Sequence, residues 1–272
     1  MSATNNPTQG DDIPARAATE GEAPRFIDAT WPAPKGVYAG VTTRIGGQSA
    51  GDYAAFNLSD AVGDDPASVA ANRAQLHSML SLPAEPIWPQ QVHGIEVARI
   101  GADVSATNLT PEVDALYTDQ PDCVLAVLTA DCLSVCLASH DGTEVAVAHA
   151  GWRGLAAGVL EATLAEFSAP ADQIMAWLGP AIGPEAFVVG ADVRKAFMQE
   201  YPSDSVAFSH HESQPGKYHA DLFMLARARL NRQGLTRVFG GERCTASQSE
   251  LFYSYRRDQG HTGRMATLIW RA

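Results

Sequence analysis

Residues 125–154 read LAVLTADCLSVCLASHDGTEVAVAHAGWRG, and the rest of the chain is read outward from this stretch. Two apolar runs have the composition of strands. Asp131 and Cys132 lie within the first run, and His149 ends the second. Gly151-Trp152-Arg153-Gly154 then makes a tight turn that opens onto a helical pattern. A thiol, an imidazole and a helix start with exposed N–H groups, so close in sequence, are the makings of a reaction centre.

Upstream, residues 1–23 are small, polar and Pro/Gly-rich, which predicts a disordered tail. Order is expected from Phe26, with a first strand over residues 37–43. A long Gly/Asp/Ser-rich loop follows, carrying Arg44 and Asn57; loops of that length are functional or disordered. Asp65 and Pro66 mark a helix start, and Val69, Leu76, Met79 and Leu80 share one face of that helix. His93 sits in Gln91-Val92-His93-Gly94 between two short strand-like runs, and residues 114–118 form another strand.

Downstream, apolar residues at 156, 160, 164 and 167 predict an amphipathic helix over 155–167. Residues 174–178 read as a buried strand, and Val193, Phe197 and Tyr201 as a short helix. Asp221 caps a further helix that stops at Gly234. Strands are expected at 237–239 and 252–255, with an alternating one through Met265, Thr267 and Ile269. Strands and helices do not alternate strictly, so an α+β fold with mixed β-sheets is expected, as a single domain over residues 24–272.

Composition limits the function. The 272 residues carry a formal charge of −12, which argues against nucleic acid as a partner. An anionic substrate would need local arginines to overcome that field. No run reaches the roughly 18–20 apolar residues of a membrane span, and the N-terminus lacks a signal-peptide layout, so a cytoplasmic location is expected. The four cysteines, 123, 132, 136 and 244, include no CxxC pair. On one strand Cys132 and Cys136 would stand about 13 Å apart, too far for a disulfide, and all four are read as reduced thiols.

The chemistry centres on His93, Cys132 and His149. As a His₂Cys set they would hold a metal with a fourth position open. By spacing alone, a cysteine nucleophile with a histidine base, or ordinary packing, stays open as well. Arg153 is read as an anion clamp at the helix start, or as a residue that ties the turn together. Arg256, Arg257 and Arg264 either recognise an anion or pair with this chain's many carboxylates. His77, His210, His211 and His219 are read as surface or loop histidines, and Cys123, Cys136 and Cys244 as core thiols.

The motifs TTRIGG, NLS, VGDD, QVHG, LTADC, HAGWRG, AWLGPAIGP, SYRRD and TGRMA together resemble those of the bacterial laccase-domain polyphenol oxidases. Members are also described as purine nucleoside phosphorylases and as a peptidoglycan editing factor. The resemblance runs from about residue 25 to the C-terminus. It implies a four-layer α/β/β/α arrangement and a zinc held by His93, Cys132 and His149. It also implies that Arg44, Asn57, Gln91, Asp131, Arg153 and Arg257 line the site. Ala61 departs from the family, where histidine is frequent, and the DQGH segment before TGR varies.

Three activities follow from that resemblance. Phosphorolysis of a purine nucleoside needs an anion site, for which Arg153 and Arg44 are candidates. It also needs a proton for the leaving base, from Asp131 or a water on the metal. Zinc-assisted deamination of adenosine is a related option, although the H-x-E signature is absent. Amide hydrolysis on a cell-wall precursor would use Cys132 or a zinc-activated water. Copper oxidase chemistry is disfavoured, because the chain has eight histidines and no His-x-His pair. A small-molecule nucleoside and phosphate are therefore the expected partners, and nothing in the pattern specifies an oligomeric state.

Overall fold

The computed structural model of the chain describes residues 23–102 and 110–272. The tail expected at residues 1–23 lies, apart from Ala23, outside the described residues.

Two sheets form the centre. The first has the order β1 (Phe26–Asp28), β2 (Val37–Thr42), β13 (Met265–Arg271), β5 (Leu125–Thr129) and is antiparallel throughout. The second runs β12 (Arg237–Gly240), β8 (Ile174–Leu178), β6 (Leu133–Ser139), β7 (Val145–Ala150), β4 (Ala115–Thr118), β3 (Val97–Ile100). Its end pairs are parallel and its inner pairs antiparallel. Val41, Val127 and Ile269 of the first sheet pack against Cys136, Val147 and Trp177 of the second. Ala126 and Leu268, on the outer face of the first sheet, pack on Leu76 and Leu80 of α1 (Pro66–Leu80). Val135 and Ala148, on the outer face of the second, pack on four helices: α2 (Trp152–Ala157), α3 (Val159–Ala165), α4 (Ala191–Met198) and α5 (Leu222–Arg232). The result is the four-layer α/β/β/α arrangement that the resemblance implied, with the second sheet mixed and the first antiparallel. Each fully buried Leu or Val contributes about 1.5–3 kcal/mol, so these three apolar layers carry the fold.

Local codes explain the helices the sequence announced. Asp65 accepts the Ser68 N–H at 2.9 Å, and Pro66 occupies the first helical position, where its missing donor costs nothing. Asp221 caps α5 in the same way through Met224 N–H, 2.9 Å.

Five expectations need correction. The first apolar run of 125–154 is not one strand: it makes β5 and β6, which belong to different sheets. Between them the chain turns through residues 130–132, with Asp131 at φ 89°, so Asp131 and Cys132 lie in the crossing between sheets. Apolar strands buried on both faces show no alternation, so no periodic signal marked the break. The helix expected at 155–167 is two helices, divided by Gly158 at φ 105°, a left-handed conformation that glycine adopts without strain. Residues 252–255 join no ladder; Tyr253 N–H instead faces Met265 Sδ at 3.1 Å. The short helix α4 stops at Met198, before Tyr201. Finally, His210 and His219 are not loop residues: they belong to β10 (Phe208–His210) and β11 (Lys217–Ala220), which with β9 (Val188–Gly190) form a small antiparallel sheet.

Candidate metal centre

His93 sits in the loop that leads to β3, at φ 60°. Gln91 fastens this loop to β5: its Nε2 donates to the Leu128 carbonyl and its Oε1 accepts the Leu128 N–H, both at 2.8 Å. Asp114, fully buried at the start of β4, holds the loop from the other side. Its carboxylate accepts the backbone N–H groups of Val92, His93 and Gly94 at 3.2, 3.0 and 2.6 Å. The same carboxylate lies 2.7 Å from Nδ1 of His149, near the end of β7. One acid thus positions two elements that are distant in sequence.

The crossing between β5 and β6 brings Cys132 to the same place. The candidate ligand atoms of His93, Cys132 and His149 all lie within 4.8 Å of one another. Cys132 Sγ is 3.8 Å from His93 Nε2, and the two imidazoles meet edge to face with centroids 4.7 Å apart. Gly151 closes the back of the cluster. A Cβ there would stand 2.9 Å from His93 Cδ2 and 3.2 Å from Cys132 Sγ.

The electrostatics suit a cation. Burial opposes ionisation of Cys132, but the imidazoles of His149 and His93 win and hold the thiol well below its ordinary range. Burial likewise opposes charge on His149, and Cys132 together with Asp114 more than offsets it, so its pKa lies above the ordinary value. The Asp114 bond fixes Nδ1 as the donor and leaves Nε2 to face the cluster. With the Nε2 proton of His149 displaced by an incoming cation, a thiolate and two oriented imidazoles would be the donors a borderline-soft metal takes. Among the described residues this is the only group of three or more His, Cys, Asp or Glu close enough to hold a metal ion.

The cluster opens onto a cleft of about 550 Å³, within the range of small-molecule sites. Gln91, His93, Cys132 and His149 line it, together with Trp88, Arg73 and Arg264. Ala61, where the family often has histidine, lines it too.

The other residues singled out in the sequence lie elsewhere. Asp131 keeps one carboxylate oxygen on the Thr245 hydroxyl (2.6 Å) and the other on the Arg256 N–H (2.7 Å). Arg44 donates to the Ala54 and Ser249 carbonyls and covers the Tyr253 ring. Arg257 binds Asp258 and the carbonyls of Thr245 and Phe252. Arg153 is exposed, with its guanidinium 4.5 Å from the Trp152 ring centre. Asn57 is buried and works at one remove: its Oδ1 accepts the Arg264 N–H at 2.9 Å. None of these five side chains lines the cleft. The glycines of Gly151-Trp152-Arg153-Gly154 serve close packing instead, since a Cβ on Gly154 would stand 2.7 Å from the Gly94 carbonyl.

Sequence reasoning missed Asp114 and Arg73 as parts of the site, and read Gly151 as part of an anion-binding turn where the structure packs it against His93 and Cys132. A signal existed for Asp114: an acid beside an apolar strand must be partnered when buried. Arg264 had been noted only as one of a cluster.

Residues 38–272 match the family described as multi-copper polyphenol oxidoreductase laccase. The chain is 49% identical over 246 residues to the purine nucleoside phosphorylase YfiH of Escherichia coli (strain K12), covering 90% of this chain and 98% of that protein. It is 46% identical to a purine nucleoside phosphorylase of Haemophilus influenzae, with the same two coverages. Among solved structures, the Neisseria meningitidis protein NMB0706 superposes with a TM-score of 0.85 at 45% identity, covering 91% of this chain and 99% of that one. YlmD from Geobacillus stearothermophilus gives 0.84 at 34% identity, covering 93% and 98%.

Proposed function

The chain belongs to the multi-copper polyphenol oxidoreductase laccase family, and from that premise we propose that it is a zinc-dependent purine nucleoside phosphorylase. Its substrates in this reading are adenosine, inosine and 5′-methylthioadenosine, and residues 24–272 act as one domain. The observation that carries the reading is a His₂Cys cluster open to a cleft of about 550 Å³, in a chain so similar to proteins named purine nucleoside phosphorylase.

His93, Cys132 and His149 would hold the metal, leaving one position toward the cleft. When bound, it would supply a Lewis acid and a positive charge at the cleft floor. In phosphorolysis a phosphate oxygen forms a bond to C1′ of the ribose as the bond to the purine nitrogen breaks, and that nitrogen takes up a proton from water in the cleft. Asp114 keeps both histidines oriented for that task, and Gln91 fixes the wall that carries His93. Asp131, with both oxygens engaged, is assigned to bracing the crossing rather than to protonating the purine. Deamination of adenosine at the same centre, with water attacking C6, is a second activity of this reading. The single metal-capable group among the described residues supports zinc over a multi-copper oxidase.

Metal analysis combined with inosine turnover tests the proposal. About one zinc per chain is expected, with hypoxanthine released only when phosphate is present. Base release without phosphate, or turnover that survives Cys132→Ala after the metal is gone, sinks it. Serine release from a UDP-linked muramoyl-serine without phosphorolysis would favour amide hydrolysis, and copper-dependent phenol oxidation alone would favour the oxidase.

A further inference from the structure

Arg264 is placed as a ligand-binding arginine would be. It follows Gly263 and enters β13, and its backbone is held at both ends: its N–H by Asn57 Oδ1 at 2.9 Å, its carbonyl by Leu58 N–H at 3.3 Å. Gly263 is required there, because a Cβ would stand 2.7 Å from the Tyr253 ring and 2.9 Å from Asn57 Cβ. The side chain is anchored through one nitrogen only, with Nη1 donating to the carbonyls of Thr262 (2.8 Å) and Gly263 (3.0 Å). Among the described residues, Nε and Nη2 carry no hydrogen bond and the guanidinium has no carboxylate partner.

Among the described residues Arg44 and Arg153 also lack a carboxylate partner, but neither lines the cleft; Arg264 does, with its guanidinium 5.7 Å from the Tyr255 ring centre and two nitrogens unused. Arg73, the other arginine lining the cleft, pairs with Asp60 at 3.5 Å and lies over Trp88. Arg229 pairs with Glu161 and Glu200, and Arg257 with Asp258. Among the described residues, Asp60 is also the only carboxylate that lines the cleft. Burial pushes the Arg264 guanidinium below its ordinary value, and the Cys132 thiolate is foremost among the charges that oppose this. Once a metal takes that thiolate, the cleft presents a metal cation and a guanidinium with no carboxylate partner to one small cavity. Two positive centres lining one cavity, one of them with unused donors, suit a compact dianion.

We propose that Arg264 is the phosphate-binding residue of this cleft, holding free inorganic phosphate through Nε and Nη2 beside the metal centre. The assignment rests on the phosphorolysis reading for its purpose, and on the unpaired guanidinium for its chemistry. Arg153, Arg44 and Arg257 are not part of it. Asn57 acts as a positioning residue by fixing the Arg264 backbone.

Titration of inorganic phosphate into the metal-loaded and the metal-depleted protein, followed by calorimetry, tests this directly, with steady-state kinetics as a second readout. Arg264→Gln is expected to weaken phosphate binding and raise KM for phosphate about 10- to 100-fold. KM for inosine and the zinc content should stay within about twofold. Arg264→Lys keeps the charge without the paired donors and should recover part of the loss. Unchanged phosphate affinity in Arg264→Gln overturns the assignment, even if phosphorolysis is confirmed. So does a parallel loss of inosine and phosphate affinity with a lowered Tm that Lys fails to restore, the mark of a merely structural role. Inosine 5′-monophosphate, titrated in parallel, separates free from esterified phosphate: Arg264-dependent binding of the ester alone also overturns it. Arg264-dependent phosphate binding in a protein that releases base without phosphate would leave this assignment standing and defeat the phosphorylase reading instead.

Discussion

His149 Nδ1 lies 2.7 Å from a carboxylate oxygen of Asp114, and both side chains are buried, at 3% and 0% exposure. The same carboxylate gathers three consecutive backbone N–H groups around His93. Asp114→Asn keeps the shape, but an amide has one acceptor oxygen for these donors and an NH₂ that repels them. His149 is then free to take the other tautomer, and the His93 loop loses its anchor. Zinc affinity should fall about 10- to 100-fold, measured by competition with a chromophoric chelator. Wild-type affinity in that variant would remove Asp114 from the design of the centre.

Gly151 offers a test that depends on space alone. Its φ is −56°, which any residue can adopt, so Gly151→Ala adds no backbone strain. The new methyl would stand against His93 and Cys132, and relieving such overpacking costs about 1–3 kcal/mol. The expected readout is weaker metal binding with a nearly native circular dichroism spectrum.

The Cys132 thiol makes a prediction about pH. Its pKa is held below that of a free cysteine, so in metal-free protein the thiolate persists at neutral pH and is lost only as pH falls through that lowered value. Iodoacetamide should therefore modify Cys132 at pH 7 well before Cys136, whose thiol burial pushes far up. Zinc should protect it, and peptide mapping reads both effects. Equal modification of the two cysteines at pH 7 would contradict the electrostatic description.

Arg257 is expected to behave as a structural residue. It neutralises Asp258 and donates to the Thr245, Ala246 and Phe252 carbonyls. Removing it by Arg257→Gln should cost about 2–3 kcal/mol, seen in urea denaturation. Burial raises the Asp258 pKa, but Arg257 and Thr262 outweigh it and hold the carboxyl below its ordinary range. A depressed folded pKa contributes stability above the unfolded value of about 3.9, which is lost as pH falls through the folded value. The gap between wild type and variant should therefore narrow from pH 7 to pH 3.

Much of this molecule was legible before any coordinates. Asp65-Pro66 and Asp221 announce their helices because a cap acts on N–H groups two or three residues away. The three candidate ligands were named from their motifs, and a four-layer fold with two mixed sheets was expected from the resemblance. Illegible were the break between β5 and β6, the division at Gly158 and the small sheet carrying His210 and His219. In each case both sides of the boundary look alike to a periodic pattern.

The sequence by itself determined which residue types the centre has, since a thiol and imidazoles in glycine-bounded motifs are local facts. Only the tertiary structure decided which arginines line the cleft and which acid orients the histidines. Arg264 enters by its position before β13 and is held by Asn57, 207 residues away, while Asp114 binds His149 across 35. Contacts of that reach arise when sheets pair and stack, and burial then sorts the charges: most charged groups taken out of water find partners and become braces, while Arg264 keeps unused donors in the cleft wall.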